Sequence, residues 1–97
     1  MEYYVKFPTN SLSKKFTKTL KNISPKELQE EIKDKVLSLG LDPRPHGEPK
    51  IKPPVEVYNY VAQFRLRIGS YRVLYDVDDR RRTVWIFALR KRDERTY

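Results

Sequence analysis

Phe64-Arg65-Leu66-Arg67-Ile68-Gly69-Ser70-Tyr71-Arg72-Val73-Leu74-Tyr75 is the stretch whose reading decides the fold. Two runs alternate with period two on either side of Gly69-Ser70, the pattern of strands that each bury one face. Gly followed by Ser suits a two-residue hairpin loop, whose first position needs the positive φ that glycine adopts without strain. Such a loop fixes the register: Ile68 faces Tyr71, Arg67 faces Arg72, Leu66 faces Val73, Arg65 faces Leu74 and Phe64 faces Tyr75. Directly opposed residues project from the same side of the ribbon. One side is then Phe64, Leu66, Ile68, Tyr71, Val73 and Tyr75, a core face, and the other is Arg65, Arg67, Arg72 and Leu74. Like charges directly opposed across a ladder are destabilising. The Arg67–Arg72 pair therefore calls for a neutralising anion, either a ligand or an acid from elsewhere in the chain.

Downstream, Asp78 to Arg81 reads as a turn and Arg82 to Leu89 as a third strand. Val84-Trp85-Ile86-Phe87-Ala88-Leu89 is apolar in both phases, which places this strand centrally or under cover on both faces. Upstream, Val55 to Tyr58 reads as another strand, preceded by a loop from Leu41 to Pro54 that holds five of the seven prolines. Proline removes a donor and fixes φ, so regular structure is not expected there. Before the loop, Leu28, Ile32, Val36 and Leu39 mark one face of a helix, and Leu12, Phe16 and Leu20 mark another from about Ser11 to Asn22. Ser24-Pro25-Lys26-Glu27 has the spacing of a capping box at the second helix start, and Gly40 is placed to end that helix in the left-handed conformation. Tyr3 to Phe7, aromatic and β-branched, reads as a leading strand. The expected fold is α+β: an N-terminal strand, an antiparallel helical hairpin, then an antiparallel β-meander with the helices on one sheet face. All 97 residues are expected to form a single domain, 1–97.

Lys and Arg number 21 against 13 Asp and Glu, a net charge of +8. A field of that sign concentrates phosphate polymers, so nucleic acid is the first partner to consider. The absence of cysteine excludes a disulfide scaffold and any thiolate metal site. No apolar run approaches the roughly 20 residues of a membrane-spanning helix, and the start MEYYVKFPTN lacks the pattern of a signal peptide. The expectation is a cytoplasmic protein with no membrane partner. No phosphate-binding glycine loop, His-Glu-x-x-His or Cys-His pair is present. Asp76, Asp78 and Asp79 read as solvated turn acids, and neither metal nor cofactor is expected.

Four of the last eight residues, Arg90, Lys91, Arg92 and Arg95, are basic, and Tyr97 follows them. With this tail in place, Phe64 to Tyr75 resembles the Y-R-L-R-V-G-D-Y-R-V-I-Y signature of toxins of the RelE/ParE superfamily, and the order of elements along nearly the whole chain is compatible with that family. The resemblance implies a RelE-like, microbial-ribonuclease-type fold. It also implies the toxin of a type II toxin–antitoxin system, acting as a ribosome-dependent, metal-independent endoribonuclease that cleaves messenger RNA in the A site and inhibits translation. Carried over by position, the catalytic candidates are Arg65, Arg67, Arg72, Arg92 and Tyr97, with one residue fewer between the last two than in the family pattern. Lys91, Arg90 and Arg95 are candidates for binding RNA. Expected partners are the ribosome, messenger RNA and a cognate antitoxin carrying an acidic amphipathic segment, for which Leu74, Trp85 and Phe87 are the candidate contacts.

The implied chemistry is attack of a 2′-hydroxyl on the adjacent phosphate to leave a 2′,3′-cyclic phosphate. Negative charge gathers on the phosphoryl oxygens in the transition state, and preorganised cations are the largest available stabilisation. Arginine grips two such oxygens with one planar fork. It does not serve as a base, because it stays protonated in proteins. Lys91 and Tyr97 are the candidates for moving a proton, and the single histidine, His46, reads as an exposed loop residue. The other activity within the superfamily, inhibition of DNA gyrase without cutting RNA, is the alternative, and a plain RNA-binding or structural module on the same scaffold is a third reading.

Overall fold

The computed structural model describes residues 2–45, 51 and 53–91. In chain order the elements are β1 (Tyr4–Lys6), α1 (Asn10–Lys21), α2 (Lys26–Ser38), β2 (Val55–Val57), β3 (Tyr60–Ala62), β4 (Phe64–Ile68), β5 (Tyr71–Asp78) and β6 (Thr83–Lys91). β1, β6, β5 and β4 form one sheet in that order, and β2 pairs with β3 in a separate small hairpin. The expected α+β class and order of elements are present, with one strand, β3, that the sequence did not announce. β1 runs parallel to β6 and pairs Val5 with Val84. β5 is antiparallel to both of its neighbours.

The helical stripes enter the core as their spacing requires. Phe16 and Leu20 of α1 and Ile32 and Val36 of α2 join Phe64, Leu66, Ile68, Val73, Tyr75, Val84, Ile86 and Leu89 in one cluster. Ile32 and Leu39 have no exposed surface, and full burial of a side chain of that size contributes about 1.5–3 kcal/mol. The opposite sheet face is not bare. β2 and β3 fold over it, and Val57 and Ala62 bury Leu74 and Phe87 together with Leu12 from the first turn of α1. The Tyr60 and Phe87 rings stack with centroids 5.1 Å apart. The apolar character of β6 in both phases follows from these two covers and from its place between β1 and β5.

Two local expectations are corrected. The capping box does not form: α2 starts at Lys26 with Pro25 as its N-cap, and no side chain caps it. A helix start one residue later leaves the Ser24 hydroxyl out of reach. The corner is held by Gln29, whose Nε2 donates to the Ile23 carbonyl at 2.7 Å. At the first helix, Thr9 is the cap, accepting from the Leu12 amide at 3.1 Å. Gly40 is not left-handed; among the described glycines Gly69 alone has positive φ, 59°. Gly40 is instead a point of close approach. Its carbonyl accepts from the Tyr3 amide at 2.6 Å, and a Cβ there would sit 2.9 Å from the Tyr3 carbonyl oxygen. The missing side chain lets the chain just before β1 pass over the end of α2.

Candidate nucleic-acid interface

The hairpin register is the one the Gly-Ser turn dictates: Arg65 opposes Leu74, Arg67 opposes Arg72 and Ile68 opposes Tyr71. On the other side of β5, Arg72 also faces Arg90 of β6. Arg67, Arg72 and Arg90 therefore occupy one row across three neighbouring strands, which spans about 10 Å at the usual interstrand spacing. Arg67 and Arg90 are exposed, and Arg72, in the middle, is half-buried.

A β-bulge brings Arg90 into the row. The β5–β6 register shifts between Leu74, opposite Ala88, and Tyr75, opposite Ile86, leaving Phe87 as an extra residue. A bulge reverses the alternation beyond it. Phe87 and Ala88 both turn toward the β2–β3 side, Leu89 returns to the main core, and Arg90 emerges beside Arg72. Strict alternation along β6 would have sent Arg90 to the helix side.

The β2–β3 face is thus zoned along the strands. At one end stand the three arginines. In the middle, Leu74 and Phe87 lie buried under β2 and β3. At the far end Asp76 and Asp78, with Tyr60 and Trp85, line a groove of about 720 Å³. The acids there have structural partners. The Asp76 carboxylate accepts from the Val77 amide at 2.9 Å, and Asp78 accepts from the Arg81 amide at 3.0 Å in the β5–β6 turn. Asp79 takes both Arg44 guanidinium nitrogens, at 3.2 and 2.9 Å, and the Tyr3 hydroxyl at 2.6 Å. That hydrogen bond to a carboxylate raises the Tyr3 pKa above its ordinary 10.0, and the Asp79 hydrogen bond likewise raises that of Arg44. Among the described residues, the ion pairs engage Lys33, Lys35, Arg44 and Arg81, and none of those pairs involves Arg65, Arg67 or Arg90.

Of the residues singled out from sequence, Arg67, Arg72 and Arg90 come together, and Arg65 lies half-buried one pleat along β4. Lys91 is exposed and opposes Tyr71 at the end of β6. Arg92, Arg95 and Tyr97 lie outside the described residues, as does His46. Leu74 and Phe87 are 0% and 5% exposed, so neither meets a partner while β2 and β3 stay in place; Trp85 keeps part of its surface accessible. The arginine side of the ribbon is therefore covered at Leu74 and exposed at its turn end.

Tyr58 and Lys15 escaped the sequence reading. Tyr58, at the tip of the β2–β3 turn, has φ 56° and is 65% exposed. Lys15 of α1 donates from Nζ to the phenol oxygen at 3.0 Å and lies 4.6 Å from the ring centroid. That hydrogen bond and charge, with a smaller contribution from Arg90, lower the Tyr58 pKa below its ordinary 10.0. The available signal was an aromatic-Asn step between two short β-branched runs, Val55–Val57 and Tyr60–Ala62.

With this geometry in view, the comparisons with known proteins are specific. The family described as the ParE toxin of type II toxin-antitoxin system, parDE, matches residues 11–96. No curated protein gives a significant match. Three solved structures are similar. The Pyrococcus horikoshii archaeal RelE–RelB complex aligns with TM-score 0.68 at 25% identity, over 97% of this chain and 99% of that one. The Mycobacterium tuberculosis RelBE2 toxin–antitoxin complex aligns with TM-score 0.64 at 25% identity, over 95% and 100%. An arginine double mutant of Escherichia coli toxin RelE in the free state aligns with TM-score 0.59 at 20% identity, over 99% and 88%, a likeness of fold. A family match over nearly the whole length, on a fold shared with RelE toxins, shows that the chain belongs to the ParE toxin family, within the RelE/ParE superfamily of type II toxin–antitoxin toxins.

Proposed function

We propose that this toxin is an endoribonuclease that cleaves messenger RNA on the ribosome, in the A site, and so inhibits translation. The observation that carries the reading is the row Arg67–Arg72–Arg90, with Arg65 beside it. Three guanidinium groups lined up across adjacent strands concentrate positive charge along one row, and a phosphodiester offers the complementary charge. Arg67 and Arg72 hold the scissile phosphate and stabilise charge on its oxygens as the 2′-hydroxyl attacks, without a metal. Arg90 and Lys91 bind the neighbouring strand. Arg92 and Tyr97 are assigned to the catalytic set by their match to the family pattern, and the ribosome supplies the alignment of the message.

A cognate antitoxin partner is part of the reading, since two of the similar structures are complexes of a RelE-type toxin with its antitoxin. An acidic segment seated on the arginine row would occupy the RNA site directly, with Trp85 at the margin of its path. The second reading, inhibition of DNA gyrase without RNA cleavage, is the other activity the superfamily resemblance implies, and the matching family is the ParE one.

Primer extension on messages from a translating extract separates the two. Codon-positioned breaks that appear with the toxin and vanish with Arg72→Ala support the nuclease. Loss of gyrase supercoiling activity with intact messages supports the second reading and overturns the first.

A further inference from the structure

We propose that Tyr58, Lys15 and Arg90 form a nucleotide subsite beside the arginine row, in which the Tyr58 ring stacks on a base of single-stranded RNA and the two cations hold its phosphate. The inference rests on the reading of this protein as an RNA-binding toxin and extends it to residues on α1 and the β2–β3 turn.

Tyr58 is displayed in a way that a turn residue has no need to be. A bulky residue at left-handed φ is a conformational outlier that the surrounding structure must impose. Here the turn is pinned from both sides. Val57 is fully buried, and Tyr60 is stacked on Phe87. The strain lifts a large aromatic ring largely into solvent. Lys15 Nζ lies over the ring and donates to its hydroxyl but leaves the side chain mostly accessible. Aromatic rings presented in a basic channel are how single strands are held without regard to sequence, since every base has a π-face.

The helix beside it carries charge of one sign. α1 carries Lys14, Lys15, Lys18 and Lys21 and no acid. Among the described residues none of these lysines is in an ion pair. β1 pairs only with Thr83–Trp85 of β6, so α1 rather than a strand flanks the Arg90 end. A notch of about 120 Å³ opens there, lined among others by Lys15, Thr19, Tyr58, Ala88 and Arg90. The basic track therefore runs from Arg67 through Arg72 and Arg90 to Tyr58 and Lys15, across the strands and onto the helix. The Lys15 hydrogen bond and charge, and more weakly the Arg90 charge, lower the Tyr58 pKa below its ordinary 10.0.

The test is fluorescence anisotropy of a labelled, uncleavable 2′-O-methyl oligoribonucleotide with the full chain. Tyr58→Leu is expected to bind about tenfold more weakly, the scale of one lost stacking contact. Tyr58→Phe keeps the ring and should retain most of the affinity. Lys15→Ala and Arg90→Ala should each weaken binding and lower the salt slope by about one. Circular dichroism and melting of each variant show that the fold is retained. Tyr58→Leu binding as tightly as wild type overturns the subsite, as does Tyr58→Phe binding as weakly as Tyr58→Leu. An acidic peptide, polyglutamate, that depends on Tyr58 while the RNA does not also overturns it, in favour of a peptide site. A wild-type protein that shows the expected dependence yet breaks no message in a translating extract removes the nuclease and leaves the subsite. Breaks unaffected by Tyr58→Leu, together with unchanged RNA affinity, remove the subsite and leave the nuclease.

Discussion

On the proposed nuclease reading, Arg67 and Arg72 set function against stability within one residue pair. Each guanidinium preorganised at a phosphate is worth about 3–4 kcal/mol in the transition state by analogy with single oxyanion donors. Arg72→Ala is accordingly expected to lower the single-turnover cleavage rate on programmed ribosomes by about 10²–10³-fold. Arg67→Ala should also lower cleavage, but it relieves a like-charge pair, and stability should rise by about 0.2–1 kcal/mol in urea denaturation. A fall in stability on losing Arg67 would mean that the charge is matched inside the protein. At Tyr58 the sign of the pKa shift is itself testable. The phenolate band should appear at lower pH than for an ordinary tyrosine, and Lys15→Ala should move it back up; Tyr58→Phe identifies the band. The arginine pairing could be read from sequence because a two-residue turn leaves one register. Tyr58 and Lys15 could not, since they are 43 positions apart and meet only through tertiary packing.

Elements show where local patterns suffice and where they fail. Helical stripes and hairpin alternation depend on near neighbours, so α1, α2, β4 and β5 were legible to within a residue or two. The missed strand, β3, is Tyr60-Val61-Ala62, with a single β-branched residue and only Gln63 between it and β4, so nothing in the sequence sets it apart from the hairpin that follows. The bulge at Phe87 was hidden for another reason: a run apolar in both phases looks the same with or without an inserted residue. The two structural glycines carry different expectations. Gly40→Ala puts a methyl against backbone and should cost about 1–3 kcal/mol as overpacking does. That corresponds to a fall in melting temperature of about 4–8 °C per kcal/mol in a domain of this size. Gly69→Ala meets open space apart from Leu28 Cδ1 at 3.7 Å and should cost about 1–2 kcal/mol from its positive φ alone. Phe87→Ala removes the stack with Tyr60 and should cost about 3–5 kcal/mol, and tryptophan fluorescence should report the loosened β2–β3 cover over Trp85.

Across the whole molecule, Arg67, Arg72 and Arg90 gather near the Gly69–Ser70 turn, while the acids Asp76, Asp78 and Asp79 gather toward the β5–β6 turn, where Arg80, Arg81 and Arg82 stand beside them. The acidic end is occupied with structure: Asp79 ties Tyr3 and Arg44 into a clasp between the N-terminal segment, the proline-rich loop and the β5–β6 turn. Because the Tyr3 pKa is raised in the folded state, its contribution is complete below the ordinary tyrosine value and fades as pH rises through the folded one. Tyr3→Phe should therefore lose less stability than wild type between neutral and strongly alkaline pH, as read from urea midpoints. At the other end Arg67, Arg72 and Arg90 stand in one row across β4, β5 and β6. The most direct test of that end is the product of the reaction. Programmed ribosomes carrying a defined A-site codon are incubated with wild type, Arg67→Ala, Arg72→Ala and Arg90→Ala, and the 3′ ends of the message fragments are identified by mass spectrometry. A 2′,3′-cyclic phosphate at an A-site cut is expected with wild type, with a steep loss of that fragment in the Arg67 and Arg72 variants. Intact message with wild type, or cutting that ignores all three substitutions, would contradict the nuclease reading.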